Sequence, residues 1–217
     1  EGISADIRLH GTTPAWRPAT GHSFFVNGGR ENFFAWLPAV PRGEAAGTLT
    51  VDGETMELSG SGYHDHNWGD ISMLKLMHDW YWGRAEVGPY TVITACITAT
   101  ERYGGGSNNV FLLARDGEIL AEDGRFVTCT PEDVYIDAHS GKPVANVITY
   151  LYDDGTDRYR IRYERQRDLA DVRFIDLAGG WRRFAARLAG FDGAYLRFTG
   201  PVTIERLENG RVTETAT

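Results

Sequence analysis

Cysteine is nearly absent from this chain. Cys96 and Cys129 are the two it has among 217 residues, too few for a disulfide scaffold, and both fall in strand-like runs where a buried thiol is the ordinary reading. Lysine is as scarce: of 22 basic residues only Lys75 and Lys142 are lysine, and 30 acidic residues leave a net charge of −8. That balance, without basic runs, argues against nucleic acid and against an anionic membrane surface as the main partner. No apolar run approaches the roughly 18 residues of a membrane-crossing helix. The opening Glu1-Gly2-Ile3 is neither a signal peptide nor an initiator Met, and a cytoplasmic location is expected. Helical periodicity is confined to one segment: Trp181, Phe184, Ala185 and Leu188 fall at i, i+3, i+4 and i+7 before Gly190, which predicts one short helix near 180–190. Internal repeats and low-complexity segments are missing. The run Gly104-Gly105-Gly106 lacks both the strand-turn-helix frame and the Lys-Ser/Thr of a phosphate-binding loop.

What remains is strand material cut by turns. Asn27-Gly28-Gly29-Arg30 divides aromatic runs at 24–26 and 33–36, Asp52-Gly53-Glu54 divides 48–51 from 55–58, and Arg115-Asp116-Gly117-Glu118 and Asn209-Gly210 mark two more hairpins. Pro38 and Pro41 read as the end of the second aromatic run, and Pro131 as a break between strands at 125–130 and 133–138. Further strands are predicted at 1–10, 90–100, 109–114, 119–121, 145–152, 158–164, 194–199, 202–207 and 211–215. At 158–164, Arg158, Arg160, Arg162 and Glu164 alternate with Tyr159, Ile161 and Tyr163, the pattern of a half-solvated antiparallel strand. Roughly a dozen short strands with one helix predict an all-β antiparallel sandwich or barrel. The chain opens in strand residues and ends just after a strand, so the expectation is that it was trimmed from a longer protein.

One stretch stands apart. Gly60-Ser61-Gly62-Tyr63-His64-Asp65-His66-Asn67-Trp68-Gly69-Asp70, then His78-Asp79-Trp80-Tyr81-Trp82-Gly83-Arg84, gathers three of the six His, three of the six Trp and three Asp. In an extended segment alternate side chains share a face, so Tyr63, Asp65 and Asn67 are expected on one side and His64, His66 and Trp68 on the other. The same parity groups Trp80, Trp82 and Arg84, with Tyr81 and Gly83 opposite. Two indoles and a guanidinium on one surface suit a flat, conjugated or polyene-like ligand.

Acid-base chemistry is the first option for this motif. An aspartate in an aromatic, poorly solvated pocket is penalised in its charged form and can serve as a proton donor. Asp65, with His64, His66 and Tyr63 around it, would protonate an electron-rich alkene. The cation would be stabilised by the faces of Trp80, Trp82 or Tyr81 and quenched by water or an internal double bond, with no cofactor. A metal is the second option: His64-x-His66 offers two imidazoles, with Asp70 or His78 as a further ligand. The match to a cupin-type strand is partial, and no metal is expected. Ser61 lies near His64 but no nucleophile elbow surrounds it. The bland reading of the whole motif is a hydrogen-bonded structural corner. His10, His22 and His139 are read as isolated surface or core residues, and Arg84 beside Glu86 as a structural pair.

The run Tyr63-His64-Asp65-His66-Asn67-Trp68-Gly69, with Asp79-Trp80-Tyr81-Trp82-Gly83-Arg84, closely resembles the signature of the carotenoid hydratase (hydroxyneurosporene synthase) family and its AttH-like, lipocalin-like relatives. Phe34-Ala35-Trp36, Gly47-Thr48-Leu49 and Tyr195-Leu196-Arg197-Phe198-Thr199-Gly200 extend the likeness. The resemblance implies lipocalin-like β-barrels around a hydrophobic cavity. Residues 1–70 would be part of an N-terminal barrel, incomplete here, and 71–217 a C-terminal one. It implies a hydratase, a cofactor-free cyclase or a Diels-Alderase acting on a polyene or terpenoid. Asp65 would be foremost as proton donor, with His64, His66 and Tyr63 catalytic and Asn67, Trp68, Trp80, Tyr81, Trp82 and Arg84 binding the substrate. Two rivals stay open: a pericyclase in which cavity shape acts and Arg84 or Tyr63 polarises a carbonyl, and a carrier that binds a hydrophobic ligand without reaction. The oligomeric state is not legible.

Overall fold

The computed structural model describes residues 2–177 and 193–217, and most of these are in strands. The helix expected near 180–190 lies outside the described residues. The described residues hold fifteen strands in antiparallel sheets, as the turn chemistry predicts. They form two compact units, Glu1–Thr128 with Tyr152–Asp157, and Cys129–Leu151 with Arg158–Thr217.

In the first unit, β1 (Ile3–Gly11), β2 (His22–Asn27), β3 (Arg30–Val51) and β4 (Glu54–Gly69) make one sheet. β4 runs along β3 from Phe34 to Val51, while β2 and β1 pair with the two ends of its other edge. The β3–β4 hairpin turns at Asp52-Gly53, where both residues have positive φ, 50° and 88°. That is the two-residue turn whose twist matches the flanking strands, and only a Gly or a short polar residue enters it without strain. After the single helical turn α1 (Met73–Leu76) come β5 (Met77–Val87), β6 (Tyr90–Ala99), β7 (Ser107–Arg115) and β8 (Glu118–Ala121), a four-stranded meander. Phe25 and Trp36 of the first sheet pack with Leu76, Met77, Ile93, Ala95, Ile97, Val110 and Leu112 in one apolar cluster.

The prolines behave differently from the reading above. β3 does not stop at Pro38 or Pro41 but passes through both, and each is fully buried. The ladder with β4 slips at these points, between Pro38 and Val40 and again between Val40 and Gly43. A β-bulge frees one residue from the ladder, and that is where a residue without an N–H fits inside a strand. Pro131 likewise lies within one continuous strand, β9 (Val127–Ile136).

The second unit is built largely from β9, β10 (Pro143–Asp153), β11 (Arg158–Glu164), β14 (Val202–Glu208) and β15 (Arg211–Ala216), five strands in the order β15-β14-β11-β10-β9. On β11 the alternation is as expected, with Tyr159 and Ile161 buried between half-exposed arginines. A strand the periodicity did not reveal, β12 (Arg167–Arg173), pairs with β13 (Ala194–Thr199). Of Arg167-Asp168-Leu169-Ala170-Asp171 three are charged and the one large apolar residue, Leu169, is exposed, so the alternating apolar signal is too weak to read.

Candidate active site

The motif of residues 60–70 occupies the end of β4, and the parity argument holds. Asp65 Oδ2 accepts hydrogen bonds from Tyr63 Oη at 2.9 Å and, marginally, from Asn67 Nδ2 at 3.5 Å, so these three side chains share a face. A third donor comes from outside the motif: Trp36 Nε1 donates to the same oxygen at 2.7 Å. Trp36 lies opposite Asn67 on β3, one diagonal step from Asp65, and is only 5% exposed. An indole N–H is a donor only, and a carboxyl oxygen is the acceptor that satisfies it inside an apolar cluster.

Around this centre the rings are linked edge to edge. Trp36 meets Trp82 at 6.3 Å between centroids, and Trp82 meets Tyr63 at 6.1 Å. The Arg84 guanidinium stands 4.7 Å above the Tyr63 ring, a cation–π contact. Trp80 packs against the apolar cluster beneath. Trp80, Trp82 and Arg84 therefore do line one side of β5, and Trp82 keeps 39% of its surface open to solvent. Tyr81 falls at the alternate position and is half-buried. Arg84 also pairs with Glu86 at 3.9 Å, and Glu86 with Arg42 at 3.4 Å. Burial pushes the Tyr63 phenol well above the ordinary tyrosine value, and the bond to Asp65 and its negative charge act in the same direction; Trp36 and Arg84 pull weakly against them. Tyr63 thus stays an O–H donor.

The two imidazoles are not part of this centre. His64 and His66 are exposed, on the side of β4 away from Asp65. His66 lies against Trp68 at 5.3 Å, and Trp68 against His22 of β2 at 6.0 Å. The strand's alternation forces this: residues adjacent in sequence cannot share a face. His22, expected to be isolated, belongs to this outer aromatic group with Phe24 and Phe33.

Asp70 closes the strand instead of joining the site. It accepts from the Phe33 amide at 3.0 Å and from Asn32 Nδ2 at 2.7 Å, and the amide bond above all holds its carboxyl below the usual range. Asn32 is 4% exposed and accepts in turn from Tyr103 Oη at 2.9 Å. His78 is engaged with Asp79 at 2.6 Å, on the surface. Among the described residues no three His, Cys, Asp or Glu side chains converge as metal ligands would, since the groups that would complete a set with His64 and His66 are held elsewhere.

Trp36 is the residue that reading the motif alone missed as a partner of Asp65. The signal was present but shifted. If the register set at Asp52-Gly53 ran on unbroken, Trp36 would face Gly69; the two slips at the prolines move it two positions, to Asn67.

The sequence profile of a family described as Diels-Alderase-like matches residues 8–160. The chain belongs to the Diels-Alderase-like family. Similar to this Diels-Alderase-like chain is the quinolone epoxide rearrangement protein penF of Penicillium thymicola, 29% identical over 98 residues, which are 45% of this chain and 25% of that protein. Among solved structures, CghA with Sch210972 superposes with a TM-score of 0.62 at 15% identity, over 99% of this chain and 59% of that one. Kievitone hydratase from Nectria haematococca gives 0.54 at 14% identity, again over 99% and 59%. These two establish the all-β, lipocalin-like fold. The alignment thus spans a quarter of the first relative and about three fifths of each solved chain. No described helix is long and apolar enough to cross a membrane.

Proposed function

We propose that this Diels-Alderase-like chain belongs to a cofactor-free enzyme that hydrates or cyclises a carbon–carbon double bond of a hydrophobic, polyene- or terpenoid-type small molecule, with Asp65 as the acid. The observation that carries the reading is the pair of short hydrogen bonds, from Trp36 and Tyr63, on one oxygen of Asp65. Two donors match the two lone pairs of a carbonyl oxygen, so a proton on this carboxyl sits on Oδ1. Transfer of that proton to an alkene carbon leaves a carbocation at the neighbouring carbon, which the open face of Trp82 stabilises. Attack by water, followed by return of a proton to Asp65, gives hydration. Attack by a second double bond of the same molecule, followed by loss of a proton to Asp65, gives a ring. The half-open indole of Trp82 and the half-buried rings of Trp80 and Tyr63 support an apolar substrate. Division into an N-terminal barrel ending near residue 70 and a C-terminal barrel from 71, and a cytoplasmic location, belong to the same proposal.

A second reading is favoured by one contact, the Arg84 guanidinium over Tyr63. In a pericyclase this cation would polarise a substrate carbonyl while the walls hold the polyene folded. Asp65→Asn separates the two. Under the acid reading turnover of a panel of linear polyenes and isoprenoid alkenes falls by about 100-fold or more, while binding, followed by quenching of indole fluorescence, persists. Substantial residual turnover supports the pericyclase. Recovery of unchanged, stoichiometrically bound ligand from the wild-type chain refutes both and leaves a carrier.

A further inference from the structure

Two buried indoles of the first unit each give their N–H to a carboxylate at 2.7 Å: Trp36 to Asp65, and Trp16 to Glu122. Their rings meet edge to face, 6.4 Å apart at 73°. Trp16 comes from the connector between β1 and β2 and is 3% exposed. Its amide donates to the Pro38 carbonyl at 3.0 Å, which fastens its backbone to β3 two residues from Trp36. The orientation of the ring is a separate matter. It is fixed by Glu122, which directly follows β8 and reaches Trp16 across 106 residues of sequence.

An indole has one donor and no acceptor, and a carboxylate is among the strongest acceptors it can find. Glu122 is itself exposed, so the Trp16 N–H points from the apolar cluster toward its rim; without Glu122 it has to take water as its acceptor, and the ring is no longer held in one orientation. Trp36 then loses the edge against which it is packed. We infer that Glu122 is a positioning residue for Asp65: it fixes Trp16, Trp16 buttresses Trp36, and Trp36 holds Oδ2 of the acid. The catalytic meaning of this chain of contacts rests on the function proposed above; the contacts themselves do not.

The test uses the full chain labelled with 15N, its indole resonances assigned with Trp16→Phe and Trp36→Phe. Hydrogen exchange of the Trp36 N–H is followed in wild type, Glu122→Ala and Glu122→Gln. In Glu122→Ala the Trp36 N–H is expected to exchange about tenfold faster. Glu122→Gln, whose amide oxygen still accepts, stays within about twofold of wild type. In the Trp16→Phe background Glu122→Ala has no further effect on Trp36, because the path runs through the Trp16 N–H. If Glu122→Ala does not fold, Glu122→Asp replaces it and is expected to give an intermediate acceleration. Faster exchange at Trp16 with Trp36 unmoved overturns the inference, as does an effect on Trp36 that persists undiminished in Trp16→Phe. Since the readout is an indole proton and not turnover, full activity in Asp65→Asn would sink the proposed acid while leaving this inference standing, and an unmoved Trp36 would do the reverse.

Discussion

Consider urea unfolding of the wild-type chain and of Tyr63→Phe, at pH 8 and again at pH 11. In the unfolded chain the Tyr63 phenol titrates near 10.0; in the folded chain burial, with Asp65 beside it, keeps it protonated well beyond that. A group whose folded value is raised contributes stability that is fully present below its unfolded value and is lost as pH climbs past it. At pH 11 some ten in eleven unfolded molecules carry a tyrosinate at this position, which favours unfolding by about 1.4 kcal/mol. The variant has no such group. At pH 8 it lacks only the hydrogen bond to Asp65, worth about 1–2 kcal/mol. The stability gap between the two proteins should therefore narrow from about 1–2 kcal/mol at pH 8 to nearly nothing at pH 11. Absorbance of tyrosinate gives an independent check: the native proteins should not differ at pH 11, and in urea they should differ by one tyrosinate. A native difference of one tyrosinate at pH 10 to 11, or a gap constant with pH, would refute the account of Tyr63 as a sequestered donor.

Asn32→Ala should destabilise the first unit by about 2 kcal/mol, because it leaves the Tyr103 hydroxyl without its acceptor in a buried place; calorimetry should register a fall of roughly 4–8 °C. Asp70→Asn probes the acid side. The carboxyl's folded value lies below 3.8, so its contribution is present above that value and is lost as pH falls through the depressed one. Circular dichroism during acid titration should show a shallower loss of stability below about pH 4 in the variant, and superimposable curves would contradict the role given to the Phe33 amide.

Much of the fold could be read from turn chemistry. Asp52-Gly53, Asp116-Gly117 and Asn209-Gly210 all have positive φ at both positions, and each joins the two strands expected of it. The reading failed where a residue's local meaning was overruled by tertiary context. Pro38, Pro41 and Pro131 are strand breakers by their chemistry, yet strands absorb all three. β12 escaped notice because its charged residues carry no alternating apolar signal. The site was half legible for the same kind of reason. Parity along β4 and β5 correctly grouped Tyr63 with Asp65 and Trp82 with Arg84. It also separated Asp65 from His64 and His66, although their closeness in sequence had invited a catalytic trio. Trp36 and Glu122, 29 and 106 residues from the partners they bind, became visible only once the register of β3 and the position of β8 were known.

The two slips in β3 have an effect on how this chain tolerates change in length. Each slip turns the remainder of the strand over, and because there are two, the second undoes the first. Each slip is one extra residue on β3, so deleting one residue between Pro38 and Gly43 straightens one slip and leaves Trp36 opposite Asn67, its indole still on the acid. Losing Leu37 instead keeps both slips, brings Ala35 opposite Asn67 and turns the Trp36 indole to the far face, so one lost codon spares or rewires the acid's surroundings according to the side of Pro38 on which it falls.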